Sequence, residues 1–354
     1  MADLEAIAAA LRRFGMVEAP GESALYARLA LAAADDRDLL EVAAHRREGQ
    51  PVANMLFGSV QYLLAKEPGN PLAGYYPTLG GNQSEGDPFP LFREYVLAHR
   101  EQVVGIIASH MVQTNEVRRS AGLFPAFSEV WGRTGKPLGL IEIGPSAGLN
   151  LIYDRYAYDY GRGIAGDPGS LVLLRCESRG AEPPVALPMV TSRVGIDLNP
   201  LDVRDEEAMR WLRALVWPEH TDRLALLNAA IEVAHDDPPA LLGGDVFELL
   251  PGLIRAADPA SIVCVFATFV LNQFTEEMRG RLRALLLDAS RETEICFVVM
   301  GYSEFVTMQP EAPFEGSLWL ARLGRASRAA TRLARFHHHG RWLDWGPEEF
   351  PLDW

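Results

Sequence analysis

The stretch Leu138–Tyr153, LGLIEIGPSAGLNLIY, constrains the fold more than any other part of the chain. Its first six residues form an apolar run that contains Glu142, and such a run is typical of a strand buried on both faces of a parallel sheet. Gly144 and Gly148 then bracket a short turn, and the apolar residues from Leu149 onward have helical spacing. The stretch therefore predicts a strand, a tight glycine turn and a helix.

This predicted turn has the properties of a ligand site. Backbone N–H groups at a helix N-terminus attract polar or anionic ligand groups, because they are free donors and lie at the positive end of the helix dipole. Glycine allows a ligand to approach the backbone closely. In open α/β sheets ligands bind at the carboxyl ends of the strands, so we expect the binding site at this turn.

Three ligand-binding motifs compete for the turn. A dinucleotide fingerprint needs G-x-G-x-x-G, and the second glycine of that spacing is missing. A P-loop ends in Gly-Lys-Ser/Thr, whereas Leu149 and Asn150 follow the second glycine here. A nucleoside-sulfonium site has an acidic residue two positions before the first glycine. Glu142, Gly144 and Gly148 match that third pattern.

A hydrolase is a fourth interpretation of the same residues. The pentapeptide GPSAG matches the G-x-S-x-G nucleophile elbow, with Ser146 as the nucleophile and a histidine available among residues 337–339. Against it, a helical region precedes the strand, where α/β-hydrolases have several strands. No HGGG-type oxyanion loop is evident either. The hydrolase interpretation therefore stays open as the weaker one.

Composition limits the class of partner. The 354 residues are 48% hydrophobic and 23% charged, with a net charge of −14 and a pI near 5.1. An acidic chain lacks the basic surface that phosphate contacts need, so nucleic acid is disfavoured and a small-molecule substrate is favoured. The three cysteines have no metal or redox spacing, and no metal site is predicted. With no signal-like start and no long apolar run, we expect a cytoplasmic protein without a membrane partner.

Residues 1–135 have helical periodicity throughout and no convincing strand, so they are predicted to be an all-helical N-terminal domain. One polar segment interrupts it, His110–Ser120, which reads HMVQTNEVRRS. A solvated helix face is one interpretation, and a lid that presents polar groups to a cleft is the other. On the second interpretation, the candidate general bases are His110 and Glu116, and the candidate substrate contacts are Gln113, Asn115 and Arg118.

The second strand of the predicted sheet ends in an acidic residue. Residues 159–191 are rich in glycine and proline and look like an insertion, after which RVGIDLNP predicts a strand that ends at Asp197. A carboxylate there can accept two hydrogen bonds from a ribose diol, although it could also cap the next helix. If Leu171–Cys176 is the second strand instead, Glu177 takes that position.

Three further strands follow. Residues 241–250 predict a strand that ends near Asp245, residues 261–271 one that ends near Thr268, and residues 294–301 a fifth. Tyr302 and Glu304 come directly after the fifth strand and are additional candidate bases, while Asn272 begins a predicted helix beside the fourth. The side chains at these strand ends are expected to surround the ligand.

The end of the chain is predicted to contain a helix, Leu318–Ala330, because Arg322, Arg325 and Arg328 have near-helical spacing. A hairpin of residues 331–338 and 341–345 follows it. The strand–helix alternation from residue 138 predicts a mainly parallel sheet with helices on both faces, which occupies the domain 136–354.

This order resembles the class I S-adenosylmethionine-dependent methyltransferases, which have a Rossmann-like α/β fold. The resemblance rests on four places: the turn from Glu142 to Gly148, GIDLNP at 195–200, GDV at 244–246, and Phe266–Asn272. It implies S-adenosylmethionine as cofactor and methyl transfer to a small molecule. The implied cofactor contacts are Glu142, Gly144, Ser146, Gly148, Asn150, Asp197, Asn199, Asp245, Val246 and Thr268.

The full chain also resembles an uncharacterised bacterial family known only as a domain of unknown function, through HMVQTNEVRRS, EIGPSAGLNL and GIDLNPLDV. That resemblance implies the methyltransferase-like fold without a reaction. Ser146 stands where the methyltransferases have a glycine, and Pro145 removes one N–H from the turn. A binding or regulatory module without turnover therefore stays open beside the enzyme.

Overall fold

A computed structural model describes residues 3–301, 305–306, 315–325, 328–352 and 354. The α-helices among them are α1 (Leu4–Arg13), α2 (Ala24–Ala33), α3 (Arg37–Ala43), α4 (Val52–Leu64), α5 (Phe89–Ala98), α6 (Arg100–Ser109), α7 (Ser120–Thr134), α8 (Glu206–Ala214), α9 (Thr221–His235), α10 (Val246–Ala256) and α11 (Glu276–Ala289). The strands are β1 (Leu138–Ile143), β2 (Ala157–Asp159), β3 (Ile164–Gly166), β4 (Leu173–Arg175), β5 (Glu177–Gly180), β6 (Val190–Asp197), β7 (Ala240–Gly243), β8 (Ile262–Thr268), β9 (Ile295–Gly301), β10 (Glu315–Leu323), β11 (Arg328–His337) and β12 (Trp342–Phe350).

The chain forms two compact units. The first consists of residues 1–114 and 204–228, and the second of residues 115–203 and 229–354. The domains predicted from the sequence, 1–135 and 136–354, stay a prediction.

The first unit is helical. Asp3, Ser23 and Asp36 start its first three helices, because each side chain accepts hydrogen bonds from N–H groups of the first turn. Helix α4 is buried over most of its surface, and Gly58 on it allows the ring of Trp211 in α8 to approach closely. The prediction that helices precede the first strand is confirmed for the described residues. None of the helices there is both long and apolar enough to cross a membrane.

The second unit is built on a nine-stranded sheet with the order β7-β6-β1-β8-β9-β10-β11-β12-β5. The first five strands of that order are parallel. Strands β1, β8 and β9 are buried at every residue, as their apolar sequences predict for a sheet covered on both faces. The prediction of an α/β fold with a large, mostly parallel sheet is therefore confirmed.

The predicted helix Leu318–Ala330 is wrong. Residues 315–323 form β10, which pairs antiparallel with β9 and β11. The reason is packing: the run from Leu318 to Ala321 is buried on both faces of the sheet, which a helix with one polar face cannot match. Of the arginines that suggested a helix, Arg322 of β10 pairs instead with Glu294, the residue before β9, at 2.9 Å. The predicted final hairpin is confirmed as β11 and β12.

The predicted insertion contributes two separate pieces of sheet. Strands β2, β3 and β4 form a small sheet of their own, and β5 pairs with β12 at the far edge of the large sheet. Strand β6, not residues 171–176, lies beside β1. Asp197, and not Glu177, therefore ends the strand adjacent to the glycine turn.

Candidate functional site

Three strand ends meet at one edge of the sheet. Ile143, the last residue of β1, is in register with Ile196 of β6 and Ala267 of β8. The next two strands of the parallel part, β6 and β7, lie on one side of β1, and the following two, β8 and β9, lie on the other side. The switch point of the sheet therefore lies between β1 and β8, where open α/β sheets bind their ligands.

The turn after β1 is tightly constrained. Gly144, Ser146 and Gly148 all have left-handed backbones, with φ of 70°, 55° and 74°. A Cβ at Gly144 would lie 2.5 Å from Cγ2 of Val270, and one at Gly148 would lie 2.5 Å from Cγ of Pro239. Only glycine is compatible with those two positions, because both the backbone angle and the close neighbours exclude a side chain.

No α-helix follows this turn among the described residues, so the predicted helix from Leu149 is wrong. The backbone continues irregularly to a 3-10 turn at Tyr153–Arg155. Side chains from elsewhere bond the carbonyl groups that a helix would have paired internally. The carbonyl of Leu149 accepts from Tyr156 Oη at 2.7 Å, that of Leu151 accepts from Arg193 at 3.1 Å, and that of Tyr153 accepts from Tyr158 Oη at 2.6 Å.

Asp197 faces the turn across the sheet edge. Its Oδ2 accepts a hydrogen bond from the N–H of Ser146 at 2.9 Å, and its Oδ1 accepts one from the N–H of Asn199 at 2.8 Å. Each carboxylate oxygen keeps a further lone pair for a ligand hydroxyl. Leu198, the next residue, is 80% exposed and leaves an apolar surface beside the carboxylate.

Glu142, the last residue but one of β1, has a buried carboxyl group. The residue is 0% exposed, and neither side-chain oxygen has a hydrogen-bond partner among the described residues. Burial is the main cause that raises the pKa of Glu142 well above its ordinary value. The negative charge of Asp197 raises this pKa further, and the positive charge of Arg119 opposes the shift. A buried acid without partners is an exception that calls for an explanation, and a ligand group is one.

Two neighbouring polar side chains are also incompletely bonded. Asn150 accepts a hydrogen bond at Oδ1 from Ser120 Oγ at 2.8 Å, while its buried Nδ2 has no partner among the described residues. The Oγ of Ser146 is likewise buried without one. Together with Glu142 they form a group of buried donors and acceptors around one turn.

The segment 115–120 belongs to the same unit and contacts this edge. Asn115 bonds the turn itself, donating to Pro145 O and accepting from Leu149 N. Arg119 donates to the carbonyl of Thr268 at 3.5 Å, and its guanidinium lies 4.4 Å from the ring centroid of Phe269. The segment therefore connects the turn after β1 with the end of β8.

Glu116 is the one predicted base in this segment, and it is buried. Its Oε2 lies 3.3 Å from Nδ1 of His339, in the turn between β11 and β12. The backbones are close there as well, because a Cβ at Gly340 would lie 2.4 Å from the carbonyl oxygen of Arg118. The structure thus brings Glu116 beside a histidine that the sequence had not associated with it.

The remaining predicted residues lie in different settings. Asp245 caps α10 by accepting from Phe247 N at 2.8 Å, with Val246 buried behind it. Asn272 is exposed in a 3-10 turn after β8. His110 and Gln113 belong to the helical unit, where the ring of His110 lies 4.8 Å from that of Trp211 and burial lowers its pKa. Tyr302 and Glu304 lie outside the described residues.

Several residues of the edge had no usable sequence signal. Phe269 has a left-handed backbone with φ of 61°, which a bulky residue rarely adopts and which often marks a functional site. Arg193 was part of a predicted strand but gave no hint that it would support the loop after β1. His339 could have been suspected only as one of three consecutive histidines. Among the described residues, no group of three or more His, Cys, Asp or Glu is arranged to hold a metal ion.

Comparison with known proteins adds one relationship. A family model described as an uncharacterised protein conserved in bacteria, DUF2332, matches residues 8–345. No curated protein matches the chain.

Proposed function

This chain belongs to that bacterial family, and from that premise we propose that it binds S-adenosylmethionine and transfers its methyl group to a small molecule. One observation carries the proposal: Asp197 ends the strand next to the glycine turn, within parallel strands ordered β7-β6-β1-β8-β9. Numbered along the chain, that order is the 3-2-1-4-5 of nucleotide-binding doubly wound folds, in which an acid at this position binds the ribose. The predicted cytoplasmic location is part of the same proposal.

The chemistry around Asp197 suits a nucleoside. The carboxylate has one free lone pair on each oxygen, which can accept the two hydroxyl groups of a ribose. The exposed Leu198 beside it offers an apolar surface to a base. Asn199 and Asp245, which the resemblance implied as cofactor contacts, bond within local turns through the Asn199 N–H and the Asp245 carboxylate, and leave this recognition mainly to the strand end.

Glu142 suits a positively charged ligand. A buried acid held in its neutral form can ionise when a cation arrives, because an opposite charge nearby lowers its pKa. S-adenosylmethionine carries an ammonium group and a sulfonium group. The unpartnered Nδ2 of Asn150 would serve the carboxylate of the same amino-acid part.

The turn itself offers fewer donors than a glycine-rich helix start. Pro145 has no N–H, and the N–H of Ser146 is already bonded to Asp197. We therefore assign ligand recognition to the side chains Glu142, Asn150 and Asp197 more than to backbone N–H groups.

The transfer itself asks little covalent chemistry of the protein. S-adenosylmethionine, when bound, would supply an activated methyl group for the acceptor and would leave as S-adenosylhomocysteine. The protein aligns the acceptor and excludes water, and a base takes a proton if the acceptor is a hydroxyl or an amine. We propose Glu116 as that base, since it is buried and paired with His339, and Arg118 and Asn272 as acceptor contacts. His110, Gln113, Tyr302 and Glu304 stay predictions.

Isothermal titration with S-adenosylmethionine and S-adenosylhomocysteine tests the proposal. Asp197→Ala is expected to weaken binding of both about tenfold or more, a loss of about 1.4 kcal/mol. Asp258→Ala is the matched control, because Asp258 also accepts a backbone hydrogen bond, from Ala260 at 2.9 Å, but precedes β8 at the opposite end of the strand. We expect no change in affinity for that variant.

The outcomes separate the methyltransferase from the non-catalytic module. No binding of either ligand to the folded wild-type protein would overturn the proposal. Binding that is equally tight in Asp197→Ala would overturn the assigned site. Binding without methylated product in a screen of small acceptors would leave the cofactor site intact and favour the non-catalytic module.

A further inference from the structure

Asn115 occupies an unusual position relative to the glycine turn. Its side chain is nearly buried, with 8% of the residue exposed. The Nδ2 group donates to the carbonyl of Pro145 at 3.3 Å, and Oδ1 accepts from the N–H of Leu149 at 3.2 Å. One primary amide therefore bonds both ends of the pentapeptide 145–149.

These two backbone groups have a special relationship. In an α-helix the N–H of residue i bonds the carbonyl of residue i−4, so Leu149 N and Pro145 O would form the first helical hydrogen bond after the turn. The amide of Asn115 takes the place of that bond. Its oxygen accepts from the Leu149 N–H, and its nitrogen donates to the Pro145 carbonyl. A side chain inserted in this way into the helical ladder interrupts the helix.

This insertion lies where the predicted helix after β1 would begin. The residues from Leu149 have helical spacing, yet the backbone stays irregular. Gly148 closes only a tighter turn, by donating to Pro145 O at 2.8 Å. Within this turn Ser146 has a left-handed φ, and its N–H donates to Asp197.

A second contact from the same segment acts on the next residue. Ser120 donates to Oδ1 of Asn150 at 2.8 Å, which fixes the amide so that its oxygen faces α7. The Nδ2 group is then the free end of that side chain, buried and without a partner among the described residues. The segment 115–120 thus sets both the backbone of the turn and the orientation of a polar side chain beside it.

We propose that Asn115 is a positioning residue, whose amide takes the place of the first helical hydrogen bond and holds the turn 144–148 open for a polar ligand group. The part of this inference that names S-adenosylmethionine as the ligand rests on the proposed function. The insertion itself is a property of the ligand-free chain and is tested separately.

The first test is amide hydrogen exchange at Leu149 in the full-length, ligand-free protein. In Asn115→Ala, the exchange of the Leu149 N–H is expected to become about tenfold faster or more, because its acceptor is removed. Tyr156→Phe is the matched control: it removes the 2.7 Å hydrogen bond to the carbonyl of the same residue and leaves the N–H bond in place. Protection of the Leu149 N–H is expected to persist in that control.

The second test is affinity for S-adenosylmethionine, compared with stability. A residue with a merely structural role would lower the denaturation midpoint without a specific effect on the dissociation constant. We expect Asn115→Ala to raise the dissociation constant about tenfold, and Tyr156→Phe to leave it within about twofold at a comparable loss of stability.

Each result decides one point. Unchanged exchange at Leu149 in Asn115→Ala overturns the insertion, whether or not the protein binds S-adenosylmethionine. Faster exchange with unchanged affinity overturns the positioning role, and absence of binding by the wild type overturns the proposed function alone. If Asn115→Ala does not fold, Asn115→Gln takes its place, with the same expectations for exchange at Leu149 and for affinity. The longer glutamine side chain moves the amide by one methylene from the position in which it bonds both groups.

Discussion

The main-chain N–H of Ser146 donates to Oδ2 of Asp197 across 2.9 Å, and so joins the turn after one strand to the end of its neighbour. The contact uses the backbone of Ser146 and none of its side chain, whose hydroxyl is buried without a partner among the described residues. The identity of the side chain at this position is therefore less important than its N–H and its left-handed backbone.

Two substitutions of Ser146 separate these contributions. Ser146→Ala keeps the N–H and removes an unpaired hydroxyl, so we expect its unfolding free energy to stay within about 0.5 kcal/mol of the wild type. Ser146→Pro removes the N–H and cannot adopt φ of 55°, and should destabilise the protein by more than about 1 kcal/mol. Chemical denaturation measures both. Equal stabilities of the two variants would contradict the role of the N–H.

The hydrolase interpretation of Ser146 has its own test. A serine nucleophile needs a base within hydrogen-bond reach, and among the described residues no histidine bonds the Oγ of Ser146. We expect a fluorophosphonate probe to leave the protein unlabelled at Ser146, as judged by intact-mass and peptide mass spectrometry. Stoichiometric labelling that disappears in Ser146→Ala would instead support a hydrolase.

Glu142 makes stability depend on pH. Its pKa in the folded protein is raised well above 4.5 by burial, so the folded state holds this proton more tightly than the unfolded chain does. Its contribution is fully present below pH 4.5 and is lost as the pH rises toward the folded pKa, with a slope of at most about 1.4 kcal/mol per unit. Glutamine does not ionise, so in Glu142→Gln the free energy of unfolding should decline less between pH 5 and pH 8. Denaturant unfolding at each pH measures it. An unchanged slope would contradict this expectation.

Gly144 is expected to tolerate no side chain. Gly144→Ala puts a Cβ 2.5 Å from Val270 at φ of 70°, so we expect a loss of more than about 2 kcal/mol. Gly132 in α7 is the matched control, because a Cβ there meets nothing within 4 Å. Gly132→Ala should stabilise the protein by about 0.5–1 kcal/mol, since alanine favours the helix. Thermal melts of the two variants should therefore shift in opposite directions.

Arg193 supports the loop after the turn through a two-fold ion pair. Its guanidinium bonds both carboxylate oxygens of Asp154, at 2.6 and 2.9 Å, with both side chains largely buried. Arg193→Ala should destabilise by about 1–3 kcal/mol in denaturant unfolding, because it leaves a carboxylate and a carbonyl without their donor. Arg162 and Glu182 form a pair of similar length at the surface, and Arg162→Ala should cost less than about 1 kcal/mol. A small loss in both would contradict the role of Arg193.

The strands around the site could be predicted because local sequence determines them. The apolar runs of β1, β8 and β9 lie in fully buried strands, and RVGID ends at Asp197 as the second strand was expected to. The edge carrying the turn follows from these strands, since parallel strands bring their carboxyl ends together. The arginine spacing near the end of the chain was misleading, because it is compatible with a helix and with strands whose partners carry acids.

The path of the chain after Gly148 could not be predicted from nearby residues. Leu149 and its neighbours have helical spacing, yet the Leu149 N–H and the Pro145 carbonyl bond the amide of Asn115, which precedes Pro145 by 30 residues. The left-handed backbone of Phe269 likewise has no signal in its own sequence. Side chains from distant parts of the chain contact both places, Asn115 at the turn and Arg119 at the ring of Phe269, and a pattern read over a dozen residues does not contain such contacts.

The support of the turn by distant side chains has a consequence for the order in which the protein folds. Asn115, Arg193 and Asp197 reach the loop from positions 30 to 51 residues away. Closing loops of that length costs entropy before any contact is gained, so we expect this part to be completed late, after β1 and β6 have paired. A molecule that recognises the finished turn would bind only fully folded chains, and would protect them from unfolding by mass action.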